Sequence, residues 1–334
     1  LVQAISELDN TDDIDTTNSL LPVIRDNFKQ LEENSETYNL FFQLLKTRGN
    51  MPWYWINIPE RVETCWQYAI HYGYNTWKLR ELFYKENHQN TLTSMHTYAA
   101  YRIKCSSLAL DEKLVIPQKT IEKMLLESLD TLSDLIQKYF SSTEFSKSIS
   151  ASYSDDKIFA DAANMKALFK KTDIRSYYSD NCFKMNAKME TSEEITDFTL
   201  LYTNNRSTLE SGQYMSFAYY CLAQNTLSSD QAKSTEYIET AIRIGNQILL
   251  GRIRLLGGKH KKTTETLNYT ARYYILAARI TKENESRTDY IKQAQQRARL
   301  SLDQLYGIKP SEIMQHEYEA ILEEAEKLCD ESKN

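Results

Sequence analysis

Between Pro117 and Pro310 the chain runs without a single proline, and its 334 residues contain only eight glycines. That scarcity constrains the fold more than any motif does. A β-rich chain turns roughly every 8–12 residues, and such turns draw on Gly and Pro for the backbone angles they need. The five prolines, at 22, 52, 59, 117 and 310, fall before or between amphipathic patterns, where a helix start tolerates the missing N–H. The chain reads as all-α.

Periodicity places the helices. Ile24, Phe28 and Leu31 lead into Tyr38, Phe41, Phe42 and Leu45, with Gly49 as a C-terminal stop. A second helix covers about 59–87 and a third about 91–110. Pro117 opens a fourth, with Ile121, Leu125, Leu132, Ile136 and Tyr139 on one face. Patterns at 213–227 and 232–255 form a pair. Leu267, Ala271, Tyr274 and Ala278 share a face, as do Ile291, Ala294, Ala298, Leu302 and Leu305, before Pro310 begins the last helix. About nine helices with short connections predict an antiparallel array with a concave groove. In domain terms, 1–22 is an acidic N-terminal extension, 23–330 a single helical domain and 331–334 a tail. Residues 141–206, rich in Ser and Asp, interrupt the domain as an insertion.

Composition narrows the function. A net charge of −6 and a pI near 5.6 lack the positive field of a general nucleic-acid binder. No run of eighteen apolar residues is present, so no membrane span is expected. The acidic start "LVQAISELDNTDDIDTTNS" has neither the basic region nor the apolar core of a secretory signal; without an initiator Met, a removed leader stays open. Five scattered cysteines (65, 105, 182, 221, 329) with no CxxC pair read as reduced thiols of a cytoplasmic or nuclear protein. His71 and His316 lack metal-ligand spacing with any Cys or carboxylate. No HExxH, GxSxG, P-loop or Rossmann glycine motif occurs. Neither an enzyme nor a cofactor is expected.

Six segments, in order, resemble the 14-3-3 family. "EENSETYNLFFQLLKTRGNM" is similar to its first-to-second helix stretch, and "PERVETCWQYAIHYG" keeps a Glu-Arg, Tyr68 and Gly73 of its third helix. "IEKMLLESLDTLSDLIQKYF" resembles the fourth helix, "SFAYYCLAQNTLSSD" the fifth, "TLNYTARYYILA" the seventh, and "SEIMQ" the ninth. The resemblance implies a dimeric signalling adaptor that binds phosphoserine or phosphothreonine peptides in a groove. It also implies a phosphate clamp of basic residues, because a dianionic phosphate needs several charge-assisted donors. Here the third-helix clamp positions hold Ala69 and Thr76, and the fifth-helix pair holds Tyr220 and Cys221. Neither 62–77 nor 207–232 contains a Lys or Arg.

Other groove positions are kept. Leu267 and Asn268 match the family's Leu-Asn, whose Asn holds the backbone of an extended peptide, and Arg80 matches an Arg one turn beyond the lost third-helix Arg. Ile275 replaces an acidic residue, and Ala320 and Glu324 stand where an Asn and a Trp hold ligand. Asn268 reads equally as a structural hydrogen bond between helices. The aromatic run at 66–77 reads as core packing, and the basic stretch Arg252, Arg254, Lys259–Lys262 as a solvated loop. The expected function is therefore a protein-binding adaptor or scaffold with phosphopeptide binding weak, absent or rebuilt from Arg80, Arg272 or 259–262. The alternatives are a conventional phosphopeptide adaptor and a tetratricopeptide-like peptide-binding scaffold, against which the lack of a 34-residue repeat weighs. Placing Ala69→Lys, Thr76→Arg and Tyr220→Arg together is expected to restore a clamp. Phe28, Leu31, Phe41 and Phe42 exceed what one helix stripe needs, so a homodimer is expected.

Overall fold

The computed structural model describes residues 1–11, 13–31, 35–47, 59–141, 206–307 and 311–332. Gly49, Pro52, Pro310 and the insertion between Ser141 and Arg206 lie outside them. Among the described residues there are eleven α-helices and no strand. They are α1 (Val2–Asn10), α2 (Ile14–Phe28), α3 (Glu36–Thr47), α4 (Pro59–Tyr84), α5 (Gln89–Leu110), α6 (Gln118–Ser141), α7 (Arg206–Thr226), α8 (Gln231–Leu256), α9 (Lys261–Ile280), α10 (Asn284–Tyr306) and α11 (Glu312–Glu331).

The expected count of nine is corrected at the N-terminus. Residues 2–28 form two helices, and the pattern read as one helix over 24–45 is split between α2 and α3. Asp13 caps α2, accepting from the backbone N–H of Thr16 at 2.8 Å. Pro22 lies inside α2, not before it. Pro in a helix interior costs about 3 kcal/mol, so tertiary contacts must hold α2 together. Thr17 and Ile24 supply them, both buried. Thr17 donates to Asn75 Oδ1 of α4 at 2.8 Å, and Asn75 Nδ2 donates to the Leu8 carbonyl of α1 at 2.7 Å. One buried amide thus ties α1 and α2 to α4.

The chain forms two compact units, Leu1–Ser142 and Thr143–Asn334. In the first, α1, α2 and α3 pack on α4, α4 on α5, and α5 on α6. Leu8, Ile24, Phe41, Leu45 and Leu79 form a shared core. Phe28, Phe41, Phe42 and Phe83 interlock beside it, with Phe28 and Phe83 ring centroids 4.6 Å apart. The aromatic surplus that suggested a homodimer is used inside this unit. The 66–77 run is packed in its second half, where Tyr74 and Trp77 meet Tyr98 of α5 at 5.5 and 5.7 Å, while Tyr68 is exposed. In the second unit each helix packs on the next from α7 to α11, and α9 also touches α7 and α11. Ala271, Tyr274, Ile275 and Ala278 of α9 meet Ile291, Ala294 and Ala298 of α10 and Ile321, Ala325 and Leu328 of α11.

The α4–α5 and α8–α9 hairpins repeat one set of contacts at a constant separation along the chain. His88 and His260 are the N-caps, each accepting through Nδ1 from the backbone N–H two residues on, at 3.1 Å in both. Lys85 and Gly257 sit at φ 74° and 88° where the first helix ends. Their carbonyls accept from Thr91 Oγ1 at 2.8 Å and Thr263 Oγ1 at 2.9 Å. Arg80 Nη1 donates to Ser94 Oγ at 2.7 Å and to the Asn90 carbonyl at 3.3 Å. Arg252 Nη1 donates to Thr266 Oγ1 at 2.7 Å and to the Lys262 carbonyl at 2.9 Å. Within each hairpin a glycine admits a tyrosine ring, Gly73 against Tyr101 and Gly245 against Tyr273.

A Cβ on Gly245 would stand 2.9 Å from Thr270 Cγ2 and 3.1 Å from the Tyr273 ring. Overpacking costs typically 1–3 kcal/mol, while Gly→Ala in a helix returns at most about 1 kcal/mol. Gly245→Ala is therefore expected to lower the urea midpoint at unchanged m-value. A raised midpoint would show that the ring moves aside freely.

Candidate functional site

The positions matched to the phosphate clamp are interior ones. Ala69 and Cys221 are fully buried and Thr76 is 2% exposed. Thr76 Oγ1 is sealed from solvent with no hydrogen-bond partner among the described residues. Tyr220 is half-buried, stacked on Phe217 at 5.9 Å and against Tyr273 at 5.2 Å. Arg80 is buried in the hairpin contacts just described, and its Nε donates to the Leu45 carbonyl at 2.8 Å. It fastens α3 and α5 to α4 and offers no group to a ligand. These positions divide between the units: Ala69, Thr76 and Arg80 in the first, Tyr220, Cys221, Leu267 and Asn268 in the second.

Of the basic stretch, Lys259 and Lys261 are exposed, whereas Arg252 and Lys262 are spent internally. Arg252 is 2% exposed and pairs with Glu210 of α7 at 3.2 Å. Lys262 pairs with Glu210 and with Glu265, each at 3.0 Å. Burial disfavours the Lys262 ammonium, but the two carboxylates outweigh it and hold the pKa above the ordinary lysine value. His260 is a helix cap.

What remains is one strip of α9. From Thr263 to Ala278 nearly every residue of this helix is buried; only Glu265, Tyr269 and Arg272 reach solvent, with Lys262 just before them. Their spacing keeps them on one helix face. Leu267 lies fully buried beneath that face as core. Asn268 is 6% exposed, and its Oδ1 is sealed with no hydrogen-bond partner among the described residues. A buried amide acceptor left unmet costs about 1–3 kcal/mol, so this one is poorly explained as a structural bond between helices. Arg272 shares the feature as a donor: its Nε is sealed and unpartnered, and no carboxylate pairs with it among the described residues.

Tyrosines from three helices gather around the strip. Tyr269 stands within electrostatic reach of Tyr214 on α7 and Tyr318 on α11, and burial raises the phenol pKa of all three. Arg272 acts on both Tyr269 and Tyr318 and partly offsets that rise. Phe217 closes one side, 5.1 Å from the Tyr269 ring. Of the ninth-helix positions, Ala320 is exposed and Glu324 pairs with Arg279. The sequence reading missed Tyr214, Glu265, Tyr269 and Tyr318. The signal was present: in "TTETLNYTARYYILAA", Glu265, Asn268 and Arg272 interrupt a helix otherwise fit for burial on all sides.

Among the described residues no His, Cys, Asp or Glu group could hold a metal ion, and no helix is long and apolar enough to cross a membrane. Compared with protein-family models, with curated proteins and with solved structures, the chain matches none.

The burial of Ala69 and Thr76 reverses one expectation. A Lys or Arg there is an unpaired charge in the interior, which removes several kcal/mol of stability. Thr76→Arg and Ala69→Lys are expected to destabilise the protein, read as a large drop in denaturation midpoint, and to create no phosphate site. A stable double variant that binds phosphopeptide would show α4 turned differently.

Proposed function

We propose that the chain is a protein-binding scaffold, of the adaptor class that the 14-3-3 resemblance implies, holding extended peptide segments without requiring phosphate. The observation that carries this reading is the strip of Glu265, Tyr269 and Arg272, open to solvent on a helix otherwise buried from Thr263 to Ala278. The resemblance implies that Asn268 holds the backbone of an extended peptide; its amide lies beside the strip and meets a peptide N–H on turning outward. Tyr214 and Tyr269, which reach solvent above the buried Tyr318, provide flat amphipathic surface of the kind that contributes most to protein recognition. Phosphate dependence has no support, since three of the four clamp positions are buried and none is basic.

A tetratricopeptide-like array is the second reading. It is favoured by the succession α7 to α11, in which each helix packs on the next and α9 also touches α7 and α11. Both readings make α9 a ligand-facing helix, and they differ in ancestry more than in chemistry.

The test is fluorescence polarisation with matched phosphorylated and plain peptides chosen by display selection on the protein. Plain peptides are expected to bind as tightly as their phosphorylated forms. Asn268→Ala is expected to weaken both about three- to tenfold, the worth of one hydrogen bond. Micromolar binding that vanishes on dephosphorylation would overturn the proposal.

A further inference from the structure

The α4–α5 and α8–α9 hairpins share a register as well as a set of contacts. Carried along the chain by the separation of Arg80 from Arg252, the bounds of α4 (Pro59–Tyr84) fall on those of α8 (Gln231–Leu256). The start of α5 at Gln89 falls on that of α9 at Lys261. The same step takes His88 to His260, Thr91 to Thr263 and Tyr101 to Tyr273. Away from the joint it takes Ala69 to Ala241, Ala99 to Ala271 and Ile103 to Ile275, all of them buried. Packing asks for an apolar residue of about the right size. It does not ask for the same residue at the same place through two helices and their connection, so the hairpins read as copies of one module.

Each copy then shows what the module needs without the other's additions. Positions alike in both serve the fold. The second helix of each copy turns the same face to water. On α5 that face carries Thr93, His96, Lys104 and Ser107, and Thr97 and Ala100 lie buried among them at helical spacing. On α9 the places of Thr93, Thr97 and Ala100 are taken by Glu265, Tyr269 and Arg272, all three reaching solvent. The hairpin closes over Thr97 and Ala100 in the first copy, so its fold does not call for a phenol and a guanidinium in the second. The joint is made without them, by Arg252, His260 and Thr263.

We infer that the two hairpins are copies of one module, and that Glu265, Tyr269 and Arg272 are the second copy's departure from it, dispensable to the fold and held for recognition of the peptide. This rests on the scaffold reading and names the residues that select its ligand. Tyr and Arg are among the side chains that most often carry binding energy. The first copy, with Thr97 and Ala100 in their places, keeps the module and lacks the recognition surface.

The test returns the second copy to the first within the intact chain, as Glu265→Thr, Tyr269→Thr and Arg272→Ala combined. Arg80→Gln and Arg252→Gln, at a position the copies share, are the opposite case, and each is expected to lower the urea midpoint. The triple variant is expected to keep its helical circular dichroism and a cooperative urea transition, with a midpoint falling far less than in Arg252→Gln. Peptides selected by display on wild type are then titrated by fluorescence polarisation. They are expected to bind the triple variant about tenfold or more weakly. A triple variant whose midpoint falls as far as that of Arg252→Gln shows the strip serving the fold and overturns the assignment. A folded triple variant that binds as tightly as wild type overturns it too, and leaves the scaffold reading with its ligand elsewhere. Recovery of no peptide by wild type overturns the scaffold reading and with it the recognition role, while a folded triple variant still shows the module kept without these residues.

Discussion

Two buried arginines hold the helical hairpins at the centre of each unit. Arg80 and Arg252 reach from near the end of one helix into the first turns of the next, where the carbonyls of Asn90 and Lys262 and the hydroxyls of Ser94 and Thr266 receive them. A buried guanidinium is expensive unless its donors are met. Here the geometry that meets them is the hairpin itself: a helix ending at positive φ, a histidine cap, and a threonine bonded back to the last carbonyl. Opening the hairpin strands the charge, so the joint is locked by the cost of breaking it as much as by the strength of its bonds.

In the second unit, this lock sets the orientation of α9. Arg252 anchors its N-terminus, Tyr273 fits the gap at Gly245, and its apolar face meets α10 and α11. With those three sides fixed, only the Glu265–Tyr269–Arg272 side faces water. The candidate site is what remains of a helix after its packing is satisfied. Its unmet groups follow from that: a helix this enclosed has no solvent to serve Asn268 Oδ1 and no neighbouring acid for Arg272.

Several features were legible in the chain itself. Scarcity of Gly and Pro excludes a β fold, and the period of apolar residues places α4, α5, α6 and α8 close to their observed bounds, while α7 begins at Arg206, well before the expected 213. The two N-terminal helices were less visible because Pro22 sits inside α2, although Asp13 marked its start; contacts from Thr17, Ile24 and Leu8 stabilise them. Loss of basic residues at Ala69, Thr76, Tyr220 and Cys221 could be read directly. Burial of three of them could not, since a period of 3.6 names a face without saying what covers it.

What the sequence determined alone is therefore local and periodic: helix content, helix positions, and the absence of cationic residues from 62–77 and 207–232. Only the tertiary structure decided which polar residues are spent and which are left over. Arg80, Arg252, Lys262 and Arg272 are alike on paper. Their partners come from distant parts of the chain, Leu45 for the first and Glu210 for the next two, and no spacing rule links such residues in sequence. Charge is a property of the residue, but an unmet donor or acceptor is a property of its surroundings, and those exist only once the helices have packed.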